Sequence, residues 1–219
     1  MSTNDHEAFW SARYRDAGDN YLFGTAPNKF LAQQAARFSA GMTVLSVADG
    51  EGRNAVWLAE QGCQVTATEI SPVALEKAAK LARGRHVATI EATAGPRVDF
   101  VQADILNWDW PVAEFDAVVG IFIQFASADE RPRQLAGMKQ AVKAGGLLLL
   151  HGYTPKQLEY RTGGPSAVEQ LYTEALLREA FADWEILRFA EYEDTLEEGA
   201  AHSGRSALID LVARKPGAV

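Results

Sequence analysis

The sequence is short of cysteine, of long apolar runs and of positive charge, and each shortage removes a class of protein. Cys63 is the one cysteine in 219 residues, so no intramolecular disulfide braces the fold. It falls in a helix-to-strand turn with no activating base nearby in the sequence, which reads as a small apolar residue rather than a catalytic thiol. The longest aliphatic run is Leu147–Leu150, far short of the roughly 20 apolar residues a spanning helix needs. The first residues, Met1-Ser2-Thr3-Asn4-Asp5, lack the basic and then apolar blocks of a signal peptide, so a cytoplasmic location without a membrane partner is expected. With 21 Lys and Arg against 29 Asp and Glu the formal charge is −8, which disfavours a broad phosphate-neutralising surface and nucleic acid as a partner. No repeat, low-complexity tract or Pro/Gly/Ser linker divides the chain, and no metal site is expected. Residues 1–219 therefore read as a single domain, a monomer or homodimer whose partner is a small molecule.

What is present is 47% hydrophobic residues, enough for a globular core, in a periodic arrangement. Asp5–Arg15 reads as a helix, and Pro27 opens another through about Phe38, with Phe30, Leu31, Ala35 and Phe38 at helical spacing. From Thr43 the pattern alternates. Thr43–Ala48 is a short apolar strand, Arg53–Gln61 a helix, Gln64–Glu69 a strand and Pro72–Ala82 a helix. After an ambiguous stretch at Arg83–Arg97, Val98–Gln102, Phe115–Ile121 and Leu147–His151 read as strands, with a helix over Asp129–Val142 between the last two. Strands alternating with helices imply a parallel sheet with right-handed crossovers. After a helix at Thr173–Phe181 the style changes. Trp184–Tyr192 and Ser206–Arg214 are both strand-like, with a long acidic loop between them and no crossover helix, so they are expected to pair antiparallel. The acidic Glu191–Glu198 run is taken as that solvated loop.

The stretch Val44-Leu45-Ser46-Val47-Ala48-Asp49-Gly50-Glu51-Gly52-Arg53-Asn54 ends a strand, turns tightly and enters a helix. Small residues at Ala48, Gly50 and Gly52 let a ligand approach the backbone at the helix start. Seventeen residues beyond Gly52 stands Glu69, at a strand end where a carboxylate can accept both hydroxyls of a ribose. Asp104, just past the next strand, is placed to accept from an adenine amino group, with Ile70 and Ile105 on either face of the ring. Gly50-Glu51-Gly52-Arg53-Asn54-Ala55 also satisfies the dinucleotide pattern Gly-x-Gly-x-x-Gly/Ala, which keeps an NAD-dependent oxidoreductase open. Two carboxylates in the turn, Asp49 and Glu51, would repel a pyrophosphate and suit the sulfonium and ammonium of S-adenosylmethionine.

The glycine turn, Glu69, Gln102-Ala103-Asp104, Phe115-Asp116-Ala117-Val118-Val119, Lys143-Ala144-Gly145-Gly146 and the terminal hairpin occur in the order that resembles the class I S-adenosylmethionine-dependent methyltransferases. The likeness is greatest to the small bacterial branch related to tellurite-resistance and thiopurine methyltransferases, and it runs from about Trp10 to Pro216. It implies an α/β, Rossmann-like domain with a seven-stranded sheet ordered 3-2-1-4-5-7-6, strand 7 antiparallel and helices on both faces. It divides the chain into an N-terminal helical lid (1–40), a cofactor-binding half (41–152), and a substrate-side loop with the C-terminal hairpin (153–219). Carried over position by position, Ala48, Gly50 and Gly52 line the methionine moiety, Glu69 takes the ribose, and Asp104 and Ile105 frame the adenine. Gly120 and Ile121 approach the methionine portion, and Asn28, in Tyr21-Leu22-Phe23-Gly24-Thr25-Ala26-Pro27-Asn28, belongs to the lid. Asn54 completes the turn. The chain departs from the family at Ser46, where an acid is usual, and at Ala48, where glycine is usual. Ser46 leaves the ammonium to Asp49 or to a bound water.

A methyl sulfonium is already activated, so a soft nucleophile needs alignment and dryness more than a base. No Asn-Pro-Pro-Tyr motif follows the fourth strand, which disfavours amide N-methylation. Polar candidates for the acceptor side are Tyr14, Tyr21, Gln124, His151, Tyr153, Arg161 and His202. The leading reading is methyl transfer from S-adenosylmethionine to a small thiol, chalcogen oxyanion or similar nucleophile, releasing S-adenosylhomocysteine. A non-catalytic S-adenosylmethionine-binding module is the third possibility, raised by Ser46, Gln124 and the absence of an evident base.

Overall fold

A computed structural model describes residues 3–89 and 95–217. Of the ambiguous Arg83–Arg97 stretch, residues 90–94 lie outside the described residues. The strands form a seven-stranded sheet in the order β3-β2-β1-β4-β5-β7-β6, as the resemblance implied. The chain separates into two compact units, one of residues 1–108 with Glu198–Ala200, the other of 109–197 with 201–219.

The first unit holds α1 (Thr3–Asp16), α2 (Lys29–Gln33), β1 (Thr43–Val47), α3 (Arg53–Glu60), β2 (Gln64–Glu69), α4 (Pro72–Gly84) and β3 (Arg97–Gln102). β1 pairs in parallel with β2, and β2 with β3. Each long connection is a helix, as parallel pairing demands. The Ser71 hydroxyl caps α4 by accepting from Ala74 N, and Pro72 in its first turn gives up no hydrogen bond that a helix could use. Val56, Leu81 and Ala82 form a cluster against which Tyr21, Val87 and Phe100 pack. The helix expected from Pro27 starts later and is shorter. Asn28 is its cap, α2 ends at Gln33, and a separate 3₁₀ turn covers Ala35–Arg37.

The second unit holds β4 (Phe115–Ile121), α5 (Arg131–Ala141), β5 (Val142–Tyr153), α6 (Gln157–Tyr160), α7 (Glu174–Ala180), β6 (Glu185–Glu198) and β7 (His202–Arg214). β4 and β5 are parallel with an irregularity between Phe115 and Ala117, and β5 and β7 are antiparallel with His151 opposite Asp210. The Thr173 side chain caps α7. Buried Tyr153, Leu171, Leu196 and Leu208 gather Phe122, Leu158 and Tyr192 around them. The acidic run is not a loop. β6 continues through Glu198 and only residues 199–201 separate it from β7, a connection short enough for antiparallel neighbours alone. Two of its acids are paired: Glu198 with Arg53, and Glu193 with Lys156, Tyr160 and Arg205, which hold the Glu193 carboxyl down to about 2. Alternating exposure along β6 gives Glu191, Glu193 and Glu197 a solvent face while Leu196 turns inward.

Candidate cofactor site and acceptor wall

Between β1 and α3 three residues take left-handed backbone: Ala48 (φ 48°), Gly50 (φ 66°) and Gly52 (φ 90°). Ala48 does so at the usual steric cost of a Cβ in that region, about 1–2 kcal/mol. Gly52 has a second reason to be glycine. A Cβ there would lie 2.8 Å from the Ala78 Cβ and 3.0 Å from its Cα, so α4 packs directly on the turn.

The turn holds two buried acids. Asp49 Oδ1 accepts from the Ser46 hydroxyl at 2.5 Å, and Oδ2 accepts from Ala55 N at 3.4 Å. Burial pushes the Asp49 carboxyl up to about 6, against the pull of these hydrogen bonds and of Arg53. Ser46, the departure from the family pattern, thus orients the neighbouring acid. Glu69, 5% exposed at the end of β2, accepts from Gly50 N at 3.0 Å and Ser71 N at 2.9 Å. Burial pushes it up to about 7, opposed by these backbone N–H groups and reinforced by the Asp49 charge. Tyr14 of α1 meets the same turn, since a Cβ on Gly50 would come within 2.9 Å of its phenol oxygen. Burial, then Glu69 and Glu51, raise the phenol well above its ordinary value.

Glu51 plays a different part from the one its position suggests. It pairs with Lys77 at 2.5 Å and accepts from Leu22 N at 2.7 Å, so its charge is compensated and it fastens the N-terminal segment. With Glu51 compensated, the electrostatic case against a pyrophosphate rests on Asp49, since Glu69 would serve the ribose of either cofactor. Tyr21 donates to the Lys77 carbonyl at 3.1 Å, within the same fastening. Asn28 is fully buried, and its carboxamide is committed at both ends: Oδ1 accepts from Leu31 N, and Nδ2 donates to Glu198. The Asn54 side chain accepts from Asn28 N. Glu198 also accepts from Lys29 N and pairs with Arg53 at 2.8 Å, while Arg53 donates to the Phe23 carbonyl. Asp104 accepts from Leu106 N, Asn107 Nδ2 and Thr3 Oγ1, and beside it Ile105 is buried and Ile70 half-buried.

In the second unit, Gly120 and Ile121 end β4. Gly120 is enclosed by side chains, with Ile123, Met138 and Leu150 within 2.7–3.1 Å of where a Cβ would stand. Just beyond, Phe122 sits in left-handed backbone (φ 56°). Its ring centroid lies 4.6 Å from Tyr153, 4.7 Å from His151 and 4.2 Å from His202. His151 Nδ1 is 2.7 Å from Asp210 Oδ1. Gln124 braces β5, accepting from Tyr153 N at 2.6 Å and donating to the Tyr153 carbonyl at 2.8 Å. Arg161 is exposed at the end of α6. Three of the sequence candidates, His151, Tyr153 and His202, thus meet in one aromatic cluster, Gln124 supports its backbone, and Tyr21 and Arg161 stand in other settings.

Sequence reading missed Phe122, Asp210, Arg53 and Glu198. For Asp210 a signal existed: it is the one charge in the otherwise apolar run from Ala207 to Ala213.

Residues 44–146 match the family described as Methyltransferase domain. Together with the strand order, this places in the chain a methyltransferase domain of the class I S-adenosylmethionine-dependent fold. Glycine/sarcosine N-methyltransferase of Parasynechococcus marenigrum (strain WH8102) is 31% identical over 165 residues, 74% of this chain and 50% of that protein. Hemagglutinin 1 of Eikenella corrodens is 28% identical over 187 residues, 84% of this chain and 58% of that protein. The chain spans 58% and 50% of the length of these two curated relatives. The solved structure of TehB from Haemophilus influenzae has a TM-score of 0.69 at 18% identity over 95% of this chain and 66% of that one. Among the described residues no helix is long and apolar enough to cross a membrane.

Proposed function

We propose that the protein transfers a methyl group from S-adenosylmethionine to a small nucleophile such as a thiol or chalcogen oxyanion, releasing S-adenosylhomocysteine. The observation that carries this reading is the buried Glu69 carboxylate at the end of β2, joined to the glycine turn through Gly50 N. A ribose binds there by donating its hydroxyls to the acceptor sites that Gly50 N and Ser71 N leave on the two carboxylate oxygens. The match of residues 44–146 to a methyltransferase domain supports the same cofactor. Ala48, Gly50 and Gly52 present backbone to the methionine portion, and Asn54 and Asn28 hold the turn and the segment before α2. Asp49, aimed by Ser46, takes the ammonium that an acid at position 46 would otherwise take. Asp104, Ile70 and Ile105 receive the adenine. Gly120 and Ile121 are assigned to the methionine portion on the resemblance alone.

The cofactor supplies an electrophilic methyl carbon, and the protein supplies orientation and exclusion of water. The thiol or chalcogen acceptor draws on the resemblance to the tellurite-resistance and thiopurine branch, and its small size on the likeness to a glycine/sarcosine N-methyltransferase and on the aromatic cluster around Phe122, which suits a small, partly apolar acceptor. Calorimetric titration with S-adenosylhomocysteine and, in parallel, NADH tests the reading. Tight binding of the first alone, weakened more than tenfold by Glu69→Ala, is expected, at least about 1.4 kcal/mol. Binding of NADH alone, or an affinity indifferent to Glu69→Ala, overturns it.

A further inference from the structure

The second unit contains a buried charged network that the proposed transfer does not yet use. Asp210, fully buried in β7, accepts at Oδ1 from His151 Nδ1 (2.7 Å) and from the Tyr192 hydroxyl (3.2 Å). Its Oδ2 accepts from Arg188 Nε (3.1 Å) and Nη2 (2.7 Å), a two-pronged grip on one oxygen. A carboxylate held this way is an acceptor only, so the proton of the neutral imidazole resides on Nδ1 and the lone pair on Nε2. Arg188 also balances the Asp210 charge. The histidine is thereby fixed in one tautomer and one orientation beside a neutralised acid, an arrangement that a histidine serving only to fill space does not need.

The surroundings of this imidazole point to a ligand site. His151 lies near the carboxyl end of β5, where open α/β sheets bind their ligands. Phe122, which covers it, is a bulky side chain in left-handed backbone, a strained state that persists at ligand clamps when the surrounding structure enforces it. Tyr153 and His202 complete an aromatic wall.

Resting on the methyl-transfer reading above, we infer that His151, positioned by Asp210 and Arg188, is the catalytic base that takes a proton from the methyl acceptor. Of the acceptors proposed above this selects those that lose a proton on methylation, a thiol and with it a hydroxyl or amine, and it sets aside a fully deprotonated chalcogen oxyanion. Its lone pair forms the bond to the methyl carbon, the methyl–sulfur bond breaks with its electron pair passing to sulfur, and the acceptor proton passes to His151 Nε2 and on to solvent. Movement of the Phe122 ring admits the acceptor to the imidazole. The charged and titratable groups facing His151 are Asp210 from β7, Arg188 and Tyr192 from β6, Tyr153 from its own strand and His202 from the start of β7.

The test begins with calorimetric binding of S-adenosylhomocysteine to wild type and His151→Asn. Loss of binding by wild type defeats the methyl-transfer reading itself. Transfer from radiolabelled S-adenosylmethionine is then measured to catechol, 2-mercaptoethanol and glycine, which lose a proton on methylation, and to iodide and dimethyl selenide, which have none to lose. Turnover confined to the first group is expected, with kcat for His151→Asn lower by about 10²–10⁴-fold and cofactor affinity retained. Arg188→Gln, at a side chain 37% exposed, is expected to fold and to move the acid limb of the kcat–pH profile upward, because the uncompensated Asp210 charge holds the proton on the imidazole. Should His151→Asn fail to fold, that shifted limb carries the test. The inference is overturned by preferential methylation of iodide or dimethyl selenide. It is overturned equally if a protein that binds S-adenosylhomocysteine methylates none of the protic acceptors, if kcat is unchanged in His151→Asn, or if Arg188→Gln leaves the limb in place.

Discussion

Glu69, which we assign to the ribose, is buried at the expense of the ligand-free fold when it is ionised, and the cost can be measured. Its carboxyl is raised from 4.5 to about 7, chiefly by burial, so the folded protein holds a proton there that the unfolded chain releases at lower pH. For an acid raised on folding, the stabilisation is fully present below the unfolded value and is lost as the pH rises through the folded one. The span from 4.5 to about 7, at about 1.4 kcal/mol per pH unit, amounts to about 3 kcal/mol. Between pH 5 and pH 8 about 2–3 kcal/mol of this disappears in the wild type. Glu69→Gln removes the titration but also turns an amide N–H₂ toward Gly50 N or Ser71 N, which costs about 1–3 kcal/mol at every pH. The absolute stability of the variant is therefore uninformative, and the difference between its pH dependence and that of the wild type is the quantity to read. Asp49, raised from 3.8 to about 6, acts in the same direction but is present in both proteins. Urea unfolding of the ligand-free proteins at the two pH values is expected to show the variant gaining about 2–3 kcal/mol relative to wild type on going to pH 8. Curves that stay parallel to within about 0.5 kcal/mol would refute a buried, proton-holding Glu69.

Ala48→Gly removes a Cβ from left-handed backbone and is expected to raise unfolding stability by about 0.5–1 kcal/mol, net of the added freedom of the unfolded chain. A fall in the urea midpoint would show the Ala48 methyl to be packed to advantage. Glu198→Gln leaves Arg53 facing a neutral group where the two side chains are only 7% and 10% exposed, and is expected to cost about 2–3 kcal/mol. Limited proteolysis should then cut first in the Phe23–Lys29 segment that Glu198 and Arg53 hold; an unchanged digest would count against that clasp. Gly137→Ala would add about 1 kcal/mol of helix propensity to α5, but its Cβ would fall 2.4 Å from Trp110 Nε1. Such overlap costs about 1–3 kcal/mol or more, so a lower melting temperature is expected and a higher one would contradict the packing.

How much of this was legible beforehand depended on whether a feature is local in sequence. β2 and β4 match their expected bounds of Gln64–Glu69 and Phe115–Ile121, because each is a compact apolar run between breakers. The glycine turn was legible for the same reason: its left-handed residues, the carboxylate of Glu69 and the helix it opens lie within a single strand–helix–strand unit. Glu198 was misread because its partners, Asn28, Lys29 and Arg53, are remote in sequence, and a run of acids viewed alone looks solvated. Nor could composition show that Lys77 compensates Glu51 while Asp49 stays with Ser46.

The pair of His151 and Asp210 shows what a strand pattern withholds and what it constrains. The residues stand 59 apart, and each strand alone presents one polar side chain within an apolar run. Only the antiparallel register between β5 and β7 sets them face to face. A slip of one residue would put His151 opposite Ile209 or Leu211 and turn one strand's side chains to the other face. It would part Asp210 from His151 and leave buried polar groups to find other partners, at a cost far above that of a surface slip. The same hydrogen bond therefore specifies the pairing of two strands and the tautomer of the imidazole, so Asp210→Asn should disturb register and proton transfer together, whereas Arg188→Gln should disturb proton transfer alone.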